Sequence, residues 1–154
     1  MFFYRDGPLP DFETLVGQAK KTFGAFHAHI KDYETKRTCD CGACSSVYRL
    51  SLKMIAHAGP IELISVRGFE KPYGSDVIVA HRLLKNDVDD SEYLLVTESA
   101  LGGAGEDLEA PEWSPIRRGA LTIEDLGEVG YRYVTLGPLK AFIGAGSSDS
   151  ASDG

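Results

Sequence analysis

Over residues 11–33, Phe12, Leu15, Val16, Ala19, Phe23, Phe26, Ile30 and Tyr33 recur at intervals of three and four. That spacing predicts a helix with one apolar side, which Asp11 is placed to cap. Lys20, Lys21, Lys31 and Asp32 fall on the wet side. His27 lies beside the apolar stripe and His29 nearer the polar side; both read as packed or solvated side chains rather than ligands. A long helix with a single apolar stripe needs a second layer to cover it.

Segments suited to that layer follow along the chain. Residues 47–58 alternate, with Tyr48, Leu50, Leu52, Met54 and Ala56 on one face and Val47, Arg49, Ser51, Lys53, Ile55 and His57 on the other. Gly59-Pro60 breaks the run and residues 61–66 resume it, so the two runs are expected to pair as a hairpin. Residues 92–97 read as another strand, with room for a helical turn after Thr97. Residues 121–126 and 129–136 read as a closing hairpin around Gly127. Residues 1–4 (MFFY) read as an opening strand that runs into a turn at Arg5-Asp6-Gly7-Pro8. Trp113, in a loose Gly-, Glu- and Pro-rich segment, reads as a lid on the core. This order implies an α+β sandwich, a mainly antiparallel sheet with helices on one face. One domain over residues 1–140 is expected, with a disordered tail over 141–154.

Composition narrows the function classes. The chain has 154 residues, 43% hydrophobic, with a net charge of −7 and sixteen scattered basic residues. Nucleic-acid affinity comes from clustered Lys and Arg, so a nucleic-acid partner is not expected. No apolar run reaches transmembrane length and no signal-like leader opens the chain, so the expectation is a cytoplasmic protein without a membrane partner. Three cysteines between residues 39 and 44 do not make a secreted disulfide framework.

Residues 68–86 (GFEKPYGSDVIVAHRLLKN) form the central punctuation of the chain. A strand-like run ends in a Pro-Tyr-Gly turn, and a helix opens at once with Ser75 as a plausible cap and Asp76 as a first-turn anion. Val77, Ala80, Leu83 and Leu84 take one side; Ile78, Arg82 and Lys85 take another. Gly74, Ser75, Arg82 and Lys85 are therefore candidate residues for a nucleotide or phosphate, against the alternative of an ordinary surface helix with Arg82 in a salt bridge.

The segment LKMIAHAGPIELISVRGFEKPYGSDVIVAHRLL resembles the class III nucleotidyl cyclase domain, in which a strand ends in His-x-Gly-Pro and a helix carries Asn-x-x-x-Arg. The opening FFY, the C-x-C-x-x-C loop, HRLLKN and GEVGYRYV are similar to a small bacterial cyclase-like family of unknown function. The resemblance implies a ferredoxin-like, nucleotidyl cyclase-like sandwich that pairs as a homodimer through the sheet and the helix bearing Arg82. It also implies two metal-binding aspartates, one on a first strand and one in a hairpin just before the segment matching MFFY. The chain is expected to be N-terminally incomplete, without either aspartate or the upstream base-reading lysine. Arg82 matches the family arginine, but the asparagine position is Ile78, which donates no hydrogen bond, and the acidic base-recognition position falls near Lys71. No catalytic residue is assigned. The expected function is a catalytically silent cyclase-like regulatory or interaction domain. One alternative is part of an active cyclase or phosphoryl-handling enzyme whose metal-binding strand is missing from this chain; another is a cysteine-based metal or redox sensor.

Cys41-x-x-Cys44 has the spacing that lets two thiolates reach one tetrahedral ion, and Cys39 can supply a third, with His57, His81 or a residue of a second subunit as a fourth. Zinc at this loop, redox-active thiols and inert reduced cysteines all stay open. Loss of a single metal ligand or oxyanion donor costs about 3 kcal/mol or more of transition-state stabilisation. The chain mixed with Mn²⁺ and ATP or GTP is accordingly expected to give no cyclic nucleotide; turnover above a denatured-protein blank reverses that expectation.

Overall fold

The computed structural model describes residues 3–36, 50–103 and 107–141. In chain order they form α1 (Phe12–Lys36), β1 (Lys53–Ala56), β2 (Glu62–Val66), β3 (Phe69–Tyr73), α2 (Ser75–Arg82), β4 (Tyr93–Thr97), α3 (Glu98–Leu101), β5 (Arg117–Ile123), β6 (Gly127–Thr135) and a 3₁₀ turn at Gly137–Leu139. The main sheet has the order β1-β4-β6-β5. Strand β1 runs parallel to β4, and β6 is antiparallel to both β4 and β5. Strands β2 and β3 make a separate antiparallel hairpin. The architecture is mixed α+β. Among the described residues, no helix is long and apolar enough to cross a membrane.

Helix α1 forms where the stripe predicts it and buries Phe12, Val16, Ala19, Phe23 and Ile30. Asp11 accepts the Thr14 amide at 2.7 Å, which satisfies one of the orphan donors of the first turn. The stripe packs on Leu94, Val96, Val134 and Leu136. The opposite face of the same strands carries Tyr93, Leu95, Ile123 and Tyr131, and it is covered by Val79 and Leu83 at α2. The helices therefore lie on both faces of the sheet, not on one. The physical reason is β4: successive side chains of a strand point to opposite faces, and every residue of β4 is buried. Trp113 packs against the α1 side and donates its indole N–H to the Thr135 carbonyl at 3.0 Å, as a lid would.

Four local expectations change. Among the described residues, 50–58 do not pair with 61–66. Within them β1 pairs in parallel with β4, and β2 instead turns back on β3 through Arg67 and Gly68. Both turn residues have positive φ, 52° and 84°, a twist that suits a two-residue hairpin connection. Phe3 and Tyr4 are exposed and outside any strand, so the expected opening strand is not formed there. Ser75 does not cap α2. The cap is Gly74, at φ 139°, and no side chain bonds the first-turn amides. The expected helix to Asn86 stops at Arg82, where Asn86 takes over by donating to the Leu83 carbonyl at 2.6 Å and the Tyr93 hydroxyl at 2.7 Å. Cys39, Cys41, Cys44 and all but the first residue of the expected tail lie outside the described residues.

The start of β4 is fixed by Glu92, only 3% exposed. Its carboxylate bonds His27 Nε2 at 2.5 Å, the Leu52 amide at 3.0 Å and Lys140 Nζ at 2.7 Å. Burial pushes this carboxyl up, but the hydrogen bonds from Lys140, His27 and Leu52 outweigh burial and hold it below its ordinary value of 4.5. A carboxyl lowered in the folded state stabilises fully above the unfolded value, and the effect fades as pH falls through the folded one. Glu92→Ala is expected to cost about 3 kcal/mol, because it leaves His27 and the Leu52 amide without their partner. Urea denaturation at neutral pH measures that loss, and the gap between variant and wild type is expected to narrow below about pH 4.

Candidate functional site

Two turns that are far apart in the sequence meet at the end of β1. His57-Ala58-Gly59-Pro60 follows β1, and Gly74-Ser75-Asp76 opens α2. Asp76 Oδ1 lies 2.8 Å from His57 Nε2. The Asp76 carboxyl rests on the backbone of Gly59, where any Cβ would collide with it. A Cβ at Gly74 would itself lie 3.7 Å from the Pro60 carbonyl, so the two glycine turns stack closely. Glycine is needed at 59 for space and at 74 for its positive φ.

The second half of the site comes from β4. Parallel pairing sets Ala56 beside Val96, and the next residues on each strand, His57 and Thr97, come together in turn. Thr97 Oγ1 is 2.8 Å from His57 Nδ1, Ser99 Oγ is 3.2 Å from the same nitrogen, and the two hydroxyls are 3.0 Å apart. The His57 side chain is nearly buried, Asp76 is partly open, Thr97 is fully buried and Ser99 is exposed. A carboxylate only accepts hydrogen bonds, so the partners assign the ring proton to Nε2 and leave Nδ1 as an acceptor for a hydroxyl. A carboxylate, an oriented imidazole and a solvent-facing hydroxyl in sequence are the parts of a proton relay.

The residues singled out from sequence are distributed unevenly around this cluster. Gly74 and Ser75 lie at its edge. Arg82 and Lys85 are exposed at the far end of α2, about 10 Å along the axis, so the four do not gather at one point. His57 is engaged by Asp76 and Thr97. His81 is exposed on α2. Thr97 and Ser99 carried no signal in the sequence, since their role depends on the strand pairing. On the α1 side of β6, the nearly buried Arg132 donates to Glu98 at 3.1 Å, and Gly130 leaves room for the Glu98 chain.

The cluster falls only partly inside the segment shared with known proteins: His57 and Asp76 lie within the family match, while Thr97 and Ser99 lie beyond its end. The family model for proteins of unknown function DUF2652 matches residues 1–93. An uncharacterized protein of Mycobacterium tuberculosis is 37% identical over 73 residues, which are 47% of this chain and 34% of the relative. The matched segment thus spans about a third of that relative's length. No solved structure matches.

Gly59→Ala is expected to drive Asp76 off His57 and to destabilise the fold by about 1–3 kcal/mol in urea unfolding. Ser75→Ala, which removes an exposed hydroxyl that caps nothing, is expected to stay within about 0.5 kcal/mol of wild type in the same measurement.

Proposed function

The chain belongs to this DUF2652 family, and we propose that it is a cyclase-like interaction domain, silent in nucleotide cyclisation, that acts in the cytoplasm by pairing with a second copy of itself. The observation that carries this reading is the apolar surface on the hairpin. Cross-strand partners share a face, so Ile64, Val66, Phe69 and Tyr73 lie together on one side of β2 and β3, with Glu62 and Lys71 among them. Phe69 is 72% exposed and Tyr73 60%. Ile78 and Leu84, on and just after α2, are about half exposed.

Together the four hairpin side chains expose roughly 400 Å², at about 200 Å² for a fully exposed large side chain. That compares with about 800 Å² contributed by each partner to a standard interface. Among the described residues the hairpin has no third strand. A two-stranded hairpin is marginal in water, and packing on a partner would stabilise it. The opposite charges of Glu62 and Lys71 within the patch suit pairing with an identical face. Exposed apolar Ile78, at the position where the cyclase resemblance calls for asparagine, favours contact over catalysis there.

Sedimentation or light scattering is expected to show a reversible dimer. Phe69→Glu combined with Tyr73→Glu is expected to weaken it by at least about 30-fold, the equivalent of losing a hot spot of 2 kcal/mol. A wild-type chain that stays monomeric at high concentration removes the reading.

A further inference from the structure

Beyond the pairing surface, we propose that Ser99, His57 and Asp76 form a hydroxyl-activating triad that takes an acyl group from small activated esters. The proposal rests on three placements. Asp76 Oδ1 at 2.8 Å orients the imidazole through Nε2, which leaves Nδ1 to receive a proton. Two hydroxyls converge on Nδ1, and of these Thr97 is fully buried and also accepts the Ala100 amide at 3.4 Å. Ser99 is the one that meets solvent. Its proton reaches the ring directly, over 3.2 Å, or through Thr97, over 3.0 and 2.8 Å.

The three members lie on separate elements: His57 just after β1, Asp76 in the first turn of α2 and Ser99 in α3. Gly59 lets the backbone close under Asp76 and fixes the carboxylate against the ring. Glu98, next to Ser99, is turned aside by Arg132 at 3.1 Å. The chemistry of this cluster does not depend on pairing or on nucleotide.

Solvent water is the only co-reactant. A lone pair of Ser99 Oγ forms the bond to the ester carbonyl carbon, and the Ser99 proton passes to His57 Nδ1, the resulting imidazolium facing the Asp76 carboxylate. The ester C–O bond breaks, its electron pair leaves with the alcohol or phenol oxygen, and that oxygen takes the proton from His57. Water then attacks the acyl-serine, gives its proton to His57, and releases the carboxylic acid as Ser99 recovers its hydrogen. Because Ser99 stands on an open surface, the substrate class is a short acyl group on a good leaving group.

The test uses the full chain, p-nitrophenyl acetate and a fluorophosphonate probe. Wild type is expected to hydrolyse the ester at least about tenfold faster than Ser99→Ala, a modest share of what general-base activation supplies. The fluorophosphonate adduct is expected on the peptide carrying Ser99, and to disappear in His57→Gln. Ser99 is exposed, so Ser99→Ala keeps the fold and decides the outcome even if His57→Gln unfolds; circular dichroism checks both. Equal rates for wild type and Ser99→Ala, or an adduct that never falls on Ser99, overturns the proposal.

Discussion

A buried carboxylate with three donors holds this domain closed. Glu92 draws its partners from α1, from the approach to β1 and from the segment after β6. Desolvation makes a lone carboxylate in that position costly, so the three donors stabilise the fold only when they arrive together. The geometry ties the first helix and the last turn to one point, the start of the central strand. His27 is also held against the rings of Phe23 and Phe26, with centroids at 4.4 and 5.1 Å. The polar clamp and the apolar stripe of α1 are therefore set by the same stretch of helix.

From that point β4 organises the two halves of the interior. Its alternate residues separate the cluster under α1 from the cluster under α2, and the Tyr131 ring of β6 lies over Gly119 on the α2 side. Burial, and then the neighbouring Tyr133, Asp87 and Tyr93, push the Tyr131 hydroxyl above its ordinary value. At its far end β4 hands Thr97 to the polar cluster of His57, Asp76 and Ser99. One strand thus begins at an ion cluster, passes through two apolar layers and finishes at a relay of hydroxyl and imidazole. The same pairing that closes the core also sets the spacing of that relay.

The hairpin of β2 and β3 stands apart from this pattern of burial. Every residue of β2 is exposed, although Leu63, Ile64 and Val66 are of the type that usually fills cores. Pro72 in β3 cannot donate a backbone hydrogen bond, while β2 has no such residue. The asymmetry leaves β2 the more receptive edge, next to the apolar face. A surface of this kind and a separate relay on the sheet's end can coexist because they use different elements.

Much of the local structure was legible in the residues themselves. The stripe from Phe12 to Ile30, the cap at Asp11, the turn around Gly127 and the lid role of Trp113 all follow from patterns that act over a few residues. The glycine turns at 59 and 74 were visible as motifs, but their contact was not. Which strand pairs with which, on which face a helix lands, and the meeting of His57 with Asp76, Thr97 and Ser99 were decided by tertiary structure. Periodicity fixes which side of an element is apolar, because that depends on backbone geometry alone. It carries no information about partners dozens of residues away, whose choice depends on the sum of burial and hydrogen bonding over the whole chain.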